Sequence, residues 1–354
     1  MAALDLSRDV VALTAQVCDV ASVSGDERAL ADLVEDALRT LPHLRVDRDG
    51  DAVVARTSLD RADRVVLAGH LDTVPLVGGS LPTRLEDGVL HGRGTVDMKG
   101  GVAVALKLAA QLERPSRDVT YVFYDHEEVA ASLNGLGRVA RTHPEWLAGD
   151  FAILMEPSDG VVEGGCNGTL RAEVRTTGVT AHSARAWMGH NAIHDAAVVL
   201  ERLRGYEPQT VEVDGLAYRE SLNAVQVAGG IAGNVIPDLC VVTVNYRFAP
   251  AKSEDDAAAH VRQLFDGFDV TITDSAPGAR PGLDHPAAAA FVAAVGGEPK
   301  PKYGWTDVAR FAGLGVPAVN FGPGDPLLAH KDDERVPVEQ LTACEASLLA
   351  WLQG

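Results

Sequence analysis

Apolar and polar positions in the first forty residues follow two helical patterns separated by a break. The stretch before residue 22 has helical spacing, and the break covers residues 22–25. Apolar residues then recur every three or four positions from Leu30 to Leu38, which predicts an amphipathic helix. Ser24 and Glu27 have the spacing of a capping box, so we expect this second helix to begin there.

Short, continuous apolar runs follow at residues 64–68, 119–124 and 151–155. Runs of this length are typical of buried strands, whereas the Gly- and Ala-rich segment 100–112 between the first two is typical of a helix. Buried strands that alternate with helices predict an α/β domain.

The middle of the chain has a different rhythm, bounded by glycine-rich segments that indicate hinges. These are the cluster Gly164, Gly165 and Gly168 and the run APGARPG at 276–282. The pattern between them predicts a strand at 169–177, a helix at 191–204, strands at 222–231 and 239–248, a helix at 253–265 and a strand at 270–273. The order βαββαβ is that of a small ferredoxin-like unit.

The α/β pattern resumes after this unit, with a strand at 318–321 and a closing helix at 339–352. We therefore expect an α/β fold in which a discontinuous larger domain, residues 1–168 and 280–354, carries an inserted ferredoxin-like domain at 169–279.

Composition narrows the function classes. The chain has 354 residues, 46% of them hydrophobic, and its 31 basic and 50 acidic residues give a net charge of −19. With no basic block, we expect neither a nucleic-acid nor an anionic-membrane partner. Without a signal pattern, a long apolar run or a C-x-x-C pair, we expect a cytoplasmic protein with reduced, mostly packing cysteines, namely Cys18, Cys166, Cys240 and Cys344.

The motif GHLDTVP at 69–75 follows the first buried strand directly. In an extended segment His70 and Asp72 point to the same side, so Asp72 could orient the imidazole while His70 binds a metal ion. For this motif alone, a histidine that is satisfied by a nearby aspartate in a loop is the slightly favoured interpretation.

The motif HGRGTVDMKGG at 91–101 places Asp97 just before a predicted helix. Taken alone, Asp97 is best interpreted as a helix N-cap. The glycines suggest a phosphate loop, but the spacing matches neither a dinucleotide-binding motif nor a P-loop.

Acidic and imidazole side chains recur at later strand ends. In DHEE at 125–128, Glu127 and Glu128 would face opposite ways, so that one could bind a metal ion and the other could transfer a proton, although an exposed acidic turn is the usual explanation. Glu156 follows the apolar run FAILM, and His330 lies in AHKDDE, where a solvated histidine would be unremarkable.

Taken together, these residues indicate a metal centre. His70, Asp97, Glu128, Glu156 and His330 are imidazoles and carboxylates, most of them at predicted carboxyl ends of strands. Such a set suits two nearby Zn²⁺ ions that share a bridging carboxylate.

The motifs GHLDTVP, GRGTVDMKGG, DHEE, MEPS and AHKDDE, in this order, resemble those of the dinuclear zinc amidohydrolases. That family includes aminoacylase, acetylornithine deacetylase, glutamate carboxypeptidase and succinyl-diaminopimelate desuccinylase. The resemblance covers essentially the whole chain, and the segment at 304–334 is similar to that of actinobacterial desuccinylases.

The resemblance implies a role for each candidate residue. Asp97 would bridge the two Zn²⁺ ions, which Co²⁺ or Mn²⁺ could replace, and Glu127 would be the general base. The ligands that complete the two metal sites would be His70 and Glu156 for one, and Glu128 and His330 for the other.

The inserted domain also matches family positions. In TAHSARAWMGHNA, His182 would cross a homodimer interface and bind the tetrahedral oxyanion. Asn234 and Arg247 would bind substrate carboxylates, with Thr306 of GWTD as a further contact. Asn234 as a turn residue and Arg247 as a surface ion pair are the alternatives from the residues alone.

The resemblance therefore implies a homodimeric hydrolase of a small N-acyl diamino acid, with N-succinyl-LL-2,6-diaminoheptanedioate as the expected substrate. Another N-acyl-amino-acid deacylase or a metallo-carboxypeptidase is the alternative within this class. A non-catalytic metal- or nucleotide-binding protein is the alternative from a different class.

Overall fold

The computed structural model describes residues 3–76, 78 and 80–354, which form two compact units. The larger unit comprises the residues up to Gly165, Pro281–Lys300 and Thr306–Gly354. The smaller unit comprises Cys166–Arg280 and Pro301–Trp305. Nothing in the sequence pattern indicates that the last of these segments belongs with the smaller unit.

The regular elements of the described residues are numbered here in chain order. The helices are α1 Val10–Cys18, α2 Arg28–Arg39, α3 Lys99–Gln111, α4 Gly135–Thr142, α5 Ala192–Arg204, α6 Glu254–Leu264, α7 Pro286–Val295, α8 Val308–Gly313 and α9 Val338–Gln353. The strands are β1 Arg45–Asp49, β2 Ala52–Arg56, β3 Arg64–His70, β4 Arg84–Glu86, β5 Val89–His91, β6 Asp118–Tyr124, β7 Phe151–Leu154, β8 Glu163–Gly164, β9 Gly168–Thr177, β10 Ala181–His182, β11 Thr210–Val213, β12 Leu216–Arg219, β13 Ser221–Gly229, β14 Val235–Ile236, β15 Leu239–Phe248, β16 Asp269–Ala276, β17 Lys300–Pro301, β18 Ala318–Asn320 and β19 Arg335–Pro337. None of these helices is long and apolar enough to cross a membrane.

The larger unit is built on an eight-stranded mixed sheet that contains the strand order β1-β2-β6-β3-β7-β18-β8. The central strands β6, β3, β7 and β18 are parallel, and every residue of β6 is buried. Helix α3 is buried from Lys99 to Ala109, as expected for a helix with apolar residues all round. The predicted α/β class is confirmed.

Three adjacent parallel strands bring the candidate site residues to one edge of this sheet. Strand β3 ends at His70, β6 ends at Tyr124 just before DHEE, and β7 ends two residues before Glu156. Since β6, β3 and β7 are neighbours that run in the same direction, their carboxyl ends lie side by side. Open α/β sheets place ligand sites at such ends.

Glycine allows α3 to approach the end of β7 closely. A Cβ atom at Gly101 would overlap the main-chain carbonyl oxygen of Met155, and one at Gly100 would overlap that of Thr95. The glycines of DMKGG are therefore packing residues, because they let the helix begin against the residue that precedes Glu156.

The smaller unit contains an antiparallel sheet with the order β13-β15-β9-β16. Its core consists of apolar side chains from the sheet and from α5 and α6, among them Val174, Val199 and Val261. The succession β9-α5-β13-β15-α6-β16 confirms the predicted ferredoxin-like order. The hairpin of β11 and β12, inserted after α5, was not predicted.

Two local predictions about helix starts are wrong. Helix α2 begins at Arg28 without a side-chain cap, because the Ser24 hydroxyl donates to Asp72 Oδ2 at 2.7 Å instead. Asp97 does not cap α3, whose N-cap position is Met98. In both cases the polar side chain forms a hydrogen bond with a residue distant in sequence instead of capping the helix. All four cysteines are buried, as expected for packing residues.

Candidate metal and catalytic site

The larger unit brings all five candidate metal ligands together. Three sets of side chains have potential ligand atoms within 4.8 Å of one another. Their members are His70, Asp97 and Glu156; His70, Glu127 and Glu128; and Asp97, Glu128 and His330. Because these sets share residues, they form one continuous cluster.

Asp97 lies between the two histidines of this cluster. Its Oδ1 is 3.2 Å from Nε2 of His70, and its Oδ2 is 3.2 Å from Nε2 of His330. Glu156 Oε1 lies 4.0 Å from His70 Nε2, and Glu128 Oε1 lies 3.0 Å from His330 Nε2. Each histidine thus has its own glutamate, and the two share the aspartate.

The donor chemistry and spacing fit a pair of cations. Zinc lies about 2.0–2.2 Å from imidazole nitrogen and carboxylate oxygen, which separates the ligand atoms of a tetrahedral site by roughly 3.3–3.6 Å. The separations of 3.2 and 4.0 Å around His70 and of 3.0 and 3.2 Å around His330 are close to that range. A carboxylate whose two oxygens face different histidines is placed to bridge two ions.

His70 and the DHEE loop are both positioned by Asp72. The backbone carbonyl of Asp72 lies 3.0 Å from His70 Nδ1, and its Oδ1 lies 3.4 Å from the same nitrogen. The Asp72 carboxylate accepts hydrogen bonds from the backbone N–H groups of Glu127 and Glu128, each at 3.0 Å. Asp72 therefore orients His70 and fixes the two consecutive glutamates.

Electrostatic coupling shifts the pKa values of the histidines and of Asp97. Burial acts to lower the pKa of His70, but hydrogen bonds to Asp72 and Asp97 raise it well above its ordinary value. Hydrogen bonds to Asp97 and Glu128 raise the pKa of His330 to about 10. Burial acts to raise the pKa of Asp97, but its two histidine partners hold it well below its usual range. The carboxylates thus favour positive charge on both imidazoles.

The two glutamates of DHEE shift in the opposite direction. Burial raises the pKa of Glu127 well above its ordinary value; His70 opposes this, and Glu156 and Glu128 reinforce it. Burial, followed by the charge of Asp97, also raises the pKa of Glu128. A raised pKa makes the carboxylate of Glu127 a stronger base, which suits it to general acid/base chemistry.

Several buried polar residues around the cluster were missed by the sequence analysis. Glu27 is fully buried and accepts a hydrogen bond from the backbone N–H of His126 at 3.1 Å, which ties α2 to the DHEE loop. Arg93 and Glu334 form a buried ion pair beside Asp97. Nothing in the local sequence distinguishes these residues from ordinary capping or surface charges.

Thr306 belongs to the larger unit and is buried. Its hydroxyl donates to Asn320 Oδ1 at 2.8 Å. Asn320 in turn donates to the backbone carbonyl oxygen of Gly165 at 3.2 Å. This hydrogen bonding positions the GWTD segment, and substrate contact by Thr306 stays a prediction.

The other three predicted site residues belong to the smaller unit, where two of them are neighbours. Strands β10 and β14 pair His182 with Val235, and the backbone N–H of Ser183 donates to the carbonyl oxygen of Asn234 at 2.9 Å. His182 and Asn234 are both exposed. Arg247 lies in β15, partly buried, with its Nε donating to Asn245 Oδ1 at 3.0 Å.

Comparison with known proteins identifies the class. Residues 66–354 match the family model described as peptidase family M20/M25/M40. The chain belongs to this family of metal-dependent peptidases and is a hydrolase acting on an amide bond, as the sequence motifs predicted.

Particular relatives extend this assignment. The chain is 56% identical, over 99% of its length and 100% of the relative's, to a Mycobacterium tuberculosis protein that bears the provisional name succinyl-diaminopimelate desuccinylase DapE. It is 47% identical to the succinyl-diaminopimelate desuccinylase of Corynebacterium glutamicum, over 99% of this chain and 97% of that protein. The fold is similar to that of an M20 family metallo-carboxypeptidase from Sulfolobus solfataricus, with a TM-score of 0.81 and 15% identity over 98% of this chain and 99% of the other.

We expect Asp72→Asn to lower amide-hydrolysing activity by about 10- to 100-fold, the usual cost of disturbing a group that orients metal ligands. The introduced amide would direct N–H groups at the backbone N–H groups of the DHEE loop or at His70. Steady-state kinetics with an N-acyl amino acid would measure the loss.

Asp118→Asn is the matched control. Asp118 is also buried and also accepts hydrogen bonds from one hydroxyl and two backbone N–H groups, but it lies at the opposite end of β6. It should lower thermal stability and leave kcat near the wild-type value. Equal kinetic losses in the two variants would contradict a specific role for Asp72.

Proposed function

We propose that this chain is a two-zinc desuccinylase that hydrolyses N-succinyl-LL-2,6-diaminoheptanedioate to succinate and the free diamino acid. The observation that carries the two-ion part is the position of Asp97, with one oxygen 3.2 Å from His70 and the other 3.2 Å from His330. The full-length similarity to relatives named as desuccinylases supports the substrate.

In this proposal Asp97 would be shared by the two ions, His70 and Glu156 would complete one site, and Glu128 and His330 would complete the other. When bound, the ions supply Lewis-acid polarisation and lower the pKa of water. Asp72 keeps the imidazole of His70 turned so that Nε2 faces the cluster.

Glu127 performs the proton transfer. It takes a proton from the attacking water and returns that proton to the nitrogen of the leaving amine, so that it acts first as a base and then as an acid. Its backbone is held by Asp72, and partial burial shields its carboxylate from bulk water.

In this proposal Arg247 and Asn234 select the substrate by binding its carboxylates, with Thr306 as a further contact. A succinyl group carries a carboxylate that an acetyl group lacks, and a chain with a net charge of −19 repels anions at long range. A guanidinium group binds a planar carboxylate through two parallel hydrogen bonds, so Arg247 is the residue best suited to overcome that repulsion.

We further propose a cytoplasmic homodimer whose product enters lysine and cell-wall precursor synthesis. Strand β13 lies at the edge of its sheet and exposes the side chains of Val225 and Val227. An unpaired strand edge with apolar side chains suits pairing with the same strand of a second copy. His182 of one subunit would then donate to the oxyanion formed in the site of the other.

We expect Glu127→Gln to lose about 10²- to 10⁴-fold in kcat, the usual contribution of a general acid/base, while it retains metal. Glu128→Gln should lose metal as well as activity, because Glu128 faces His330 and Asp97. Elemental analysis together with single-turnover kinetics separates the two effects. Near-normal turnover by Glu127→Gln would show that the base is misassigned, and wild-type protein with less than one metal ion per chain would overturn the metal site.

We expect the succinylated substrate to be cleaved far faster than N-acetylornithine, since only the former carries the additional carboxylate. Arg247→Ala should reduce kcat/KM for the succinylated substrate at least tenfold, about 1.4 kcal/mol. Arg175→Ala, which removes an exposed arginine of the same sheet, is the control and should have little effect. Similar specificity constants for the two substrates would refute desuccinylase activity and leave the amide hydrolase.

A complementation experiment tests the homodimer and the role of His182. Mixing inactive His182→Ala chains with inactive Glu127→Gln chains should restore activity, because one of the two sites in a heterodimer then holds both intact residues. An oxyanion donor contributes about 10²- to 10³-fold, so the recovery is readily measured. Absence of recovery, with subunit exchange shown by differently tagged chains, would indicate a site built within one chain.

A further inference from the structure

A buried ion pair joins the two loops that carry Asp97 and His330. Arg93 Nη1 donates to Glu334 Oε2 at 2.9 Å, across 241 positions of sequence. Both residues are only 3% exposed. Desolvating two charges is costly, so such a pair is weak evidence for a contribution to stability and raises the question of what else it does.

The remaining hydrogen bonds of this pair point to the ligand loops. Glu334 Oε1 accepts from the backbone N–H groups of Val96 at 2.9 Å and of Asp97 at 3.1 Å. Arg93 Nη1 also donates to the backbone carbonyl of Lys331, the residue after His330, at 3.1 Å. Glu334 therefore binds the loop that carries Arg93 and Asp97. Arg93 binds the loop that carries Glu334 and His330.

Strand pairing sets the pair in place. In the small sheet β19-β5-β4, His91 of β5 lies opposite Arg335 of β19. The ladder continues beyond the strands, because the backbone N–H of Gly92 donates to the carbonyl oxygen of Glu334 at 3.0 Å. Arg93 and Glu334 therefore lie next to each other just beyond the end of the paired strands.

We propose that the Arg93–Glu334 pair is a positioning device that sets the spacing between Asp97 and His330, and hence the affinity of the cluster for its second cation. The inference rests on the proposed two-cation site. The carboxylate of Glu334 holds the Asp97 backbone from one side, while Arg93 holds the residue next to His330. The 3.2 Å separation of Asp97 Oδ2 and His330 Nε2 depends on both sets of hydrogen bonds, those of Glu334 and those of Arg93.

The test measures metal affinity rather than activity. Metal-free protein is titrated with Zn²⁺ against a chromophoric chelator, for the wild type and for Glu334→Gln and Arg93→Lys. Glutamine keeps the size of Glu334 but loses the charge, and lysine keeps the charge of Arg93 but replaces the planar guanidinium, whose Nη1 makes both contacts, with a compact ammonium group. We expect both variants to bind the second Zn²⁺ at least tenfold more weakly and the first nearly as well as the wild type. Two variants keep the test decisive if one of them fails to fold.

Glu220→Gln is the matched control. Glu220 is equally buried, accepts from the backbone N–H of Ala249 at 2.9 Å and pairs with Lys252 at 2.8 Å, but it lies in the smaller unit, which holds none of the five candidate ligands. It should lower the melting temperature of the metal-free protein and leave both Zn²⁺ affinities within twofold of the wild type.

The outcomes separate this inference from the proposed function. Unchanged Zn²⁺ affinities in both Glu334→Gln and Arg93→Lys, with two ions on the wild type, would overturn the positioning role alone. Equal weakening by Glu220→Gln would assign the effect to general stability and would also overturn it. A wild type that binds no second ion would overturn the two-cation site and this inference with it.

Discussion

Repulsion among carboxylates is the constraint on which the larger unit depends. Five of them, Asp72, Asp97, Glu127, Glu128 and Glu156, gather with the imidazoles of His70 and His330 at one end of a sheet, in a chain that already carries a net charge of −19. Like charges at such distances shift one another's pKa values and push the groups apart unless cations compensate them. The fold opposes this by fixing the backbones, as Asp72 does for the DHEE loop and Glu334 does for Asp97.

This repulsion explains why carboxylates near the cluster, such as those of Asp72 and Glu334, accept hydrogen bonds from backbone N–H groups. A carboxylate that receives two or three such hydrogen bonds keeps its charge and its place without a positive side chain beside it. At Asp72 burial acts to raise the pKa, but the hydrogen bond to His70 and the charge of His70, followed by the backbone N–H groups of Glu128 and Glu127, lower it to about 2. Such hydrogen bonds fix the backbone, so that the imidazole nitrogens and the carboxylates of Asp97, Glu128 and Glu156 stay available to the proposed metal ions.

Most of the fold could be predicted from the sequence, because buried strands and amphipathic helices carry their signal locally. The order of strands and helices in both units follows from apolar runs and their spacing. Residue type, combined for most of them with a position at a strand end, also indicated the residues of the cluster, from His70 to His330. The hairpin β11–β12 was missed although it has a local signal, since the pair Asp214-Gly215, with positive φ at both residues, joins two short strands that contain β-branched and aromatic residues.

Supporting residues could not be predicted, because their roles depend on partners that are distant in sequence. Ser24 and Glu27 have the spacing of a capping box, yet Ser24 bonds to Asp72 and Glu27 to the backbone of His126. Glu334 stands in a charged run that reads as a solvated surface, and only the pairing of β5 with β19 places it beside Arg93. Long-range register of this kind leaves no local trace.

The discontinuity of the larger unit has a consequence for synthesis on the ribosome. The chain emerges from its amino terminus, so His70, Asp97, Glu128 and Glu156 are exposed to the cell before the last ligand exists. His330 and Glu334 are translated only after the whole smaller unit, which has a hydrophobic core of its own. A nascent chain therefore lacks one of the five proposed metal ligands, and the proposed centre is complete only when the final segment of the polypeptide has been synthesised.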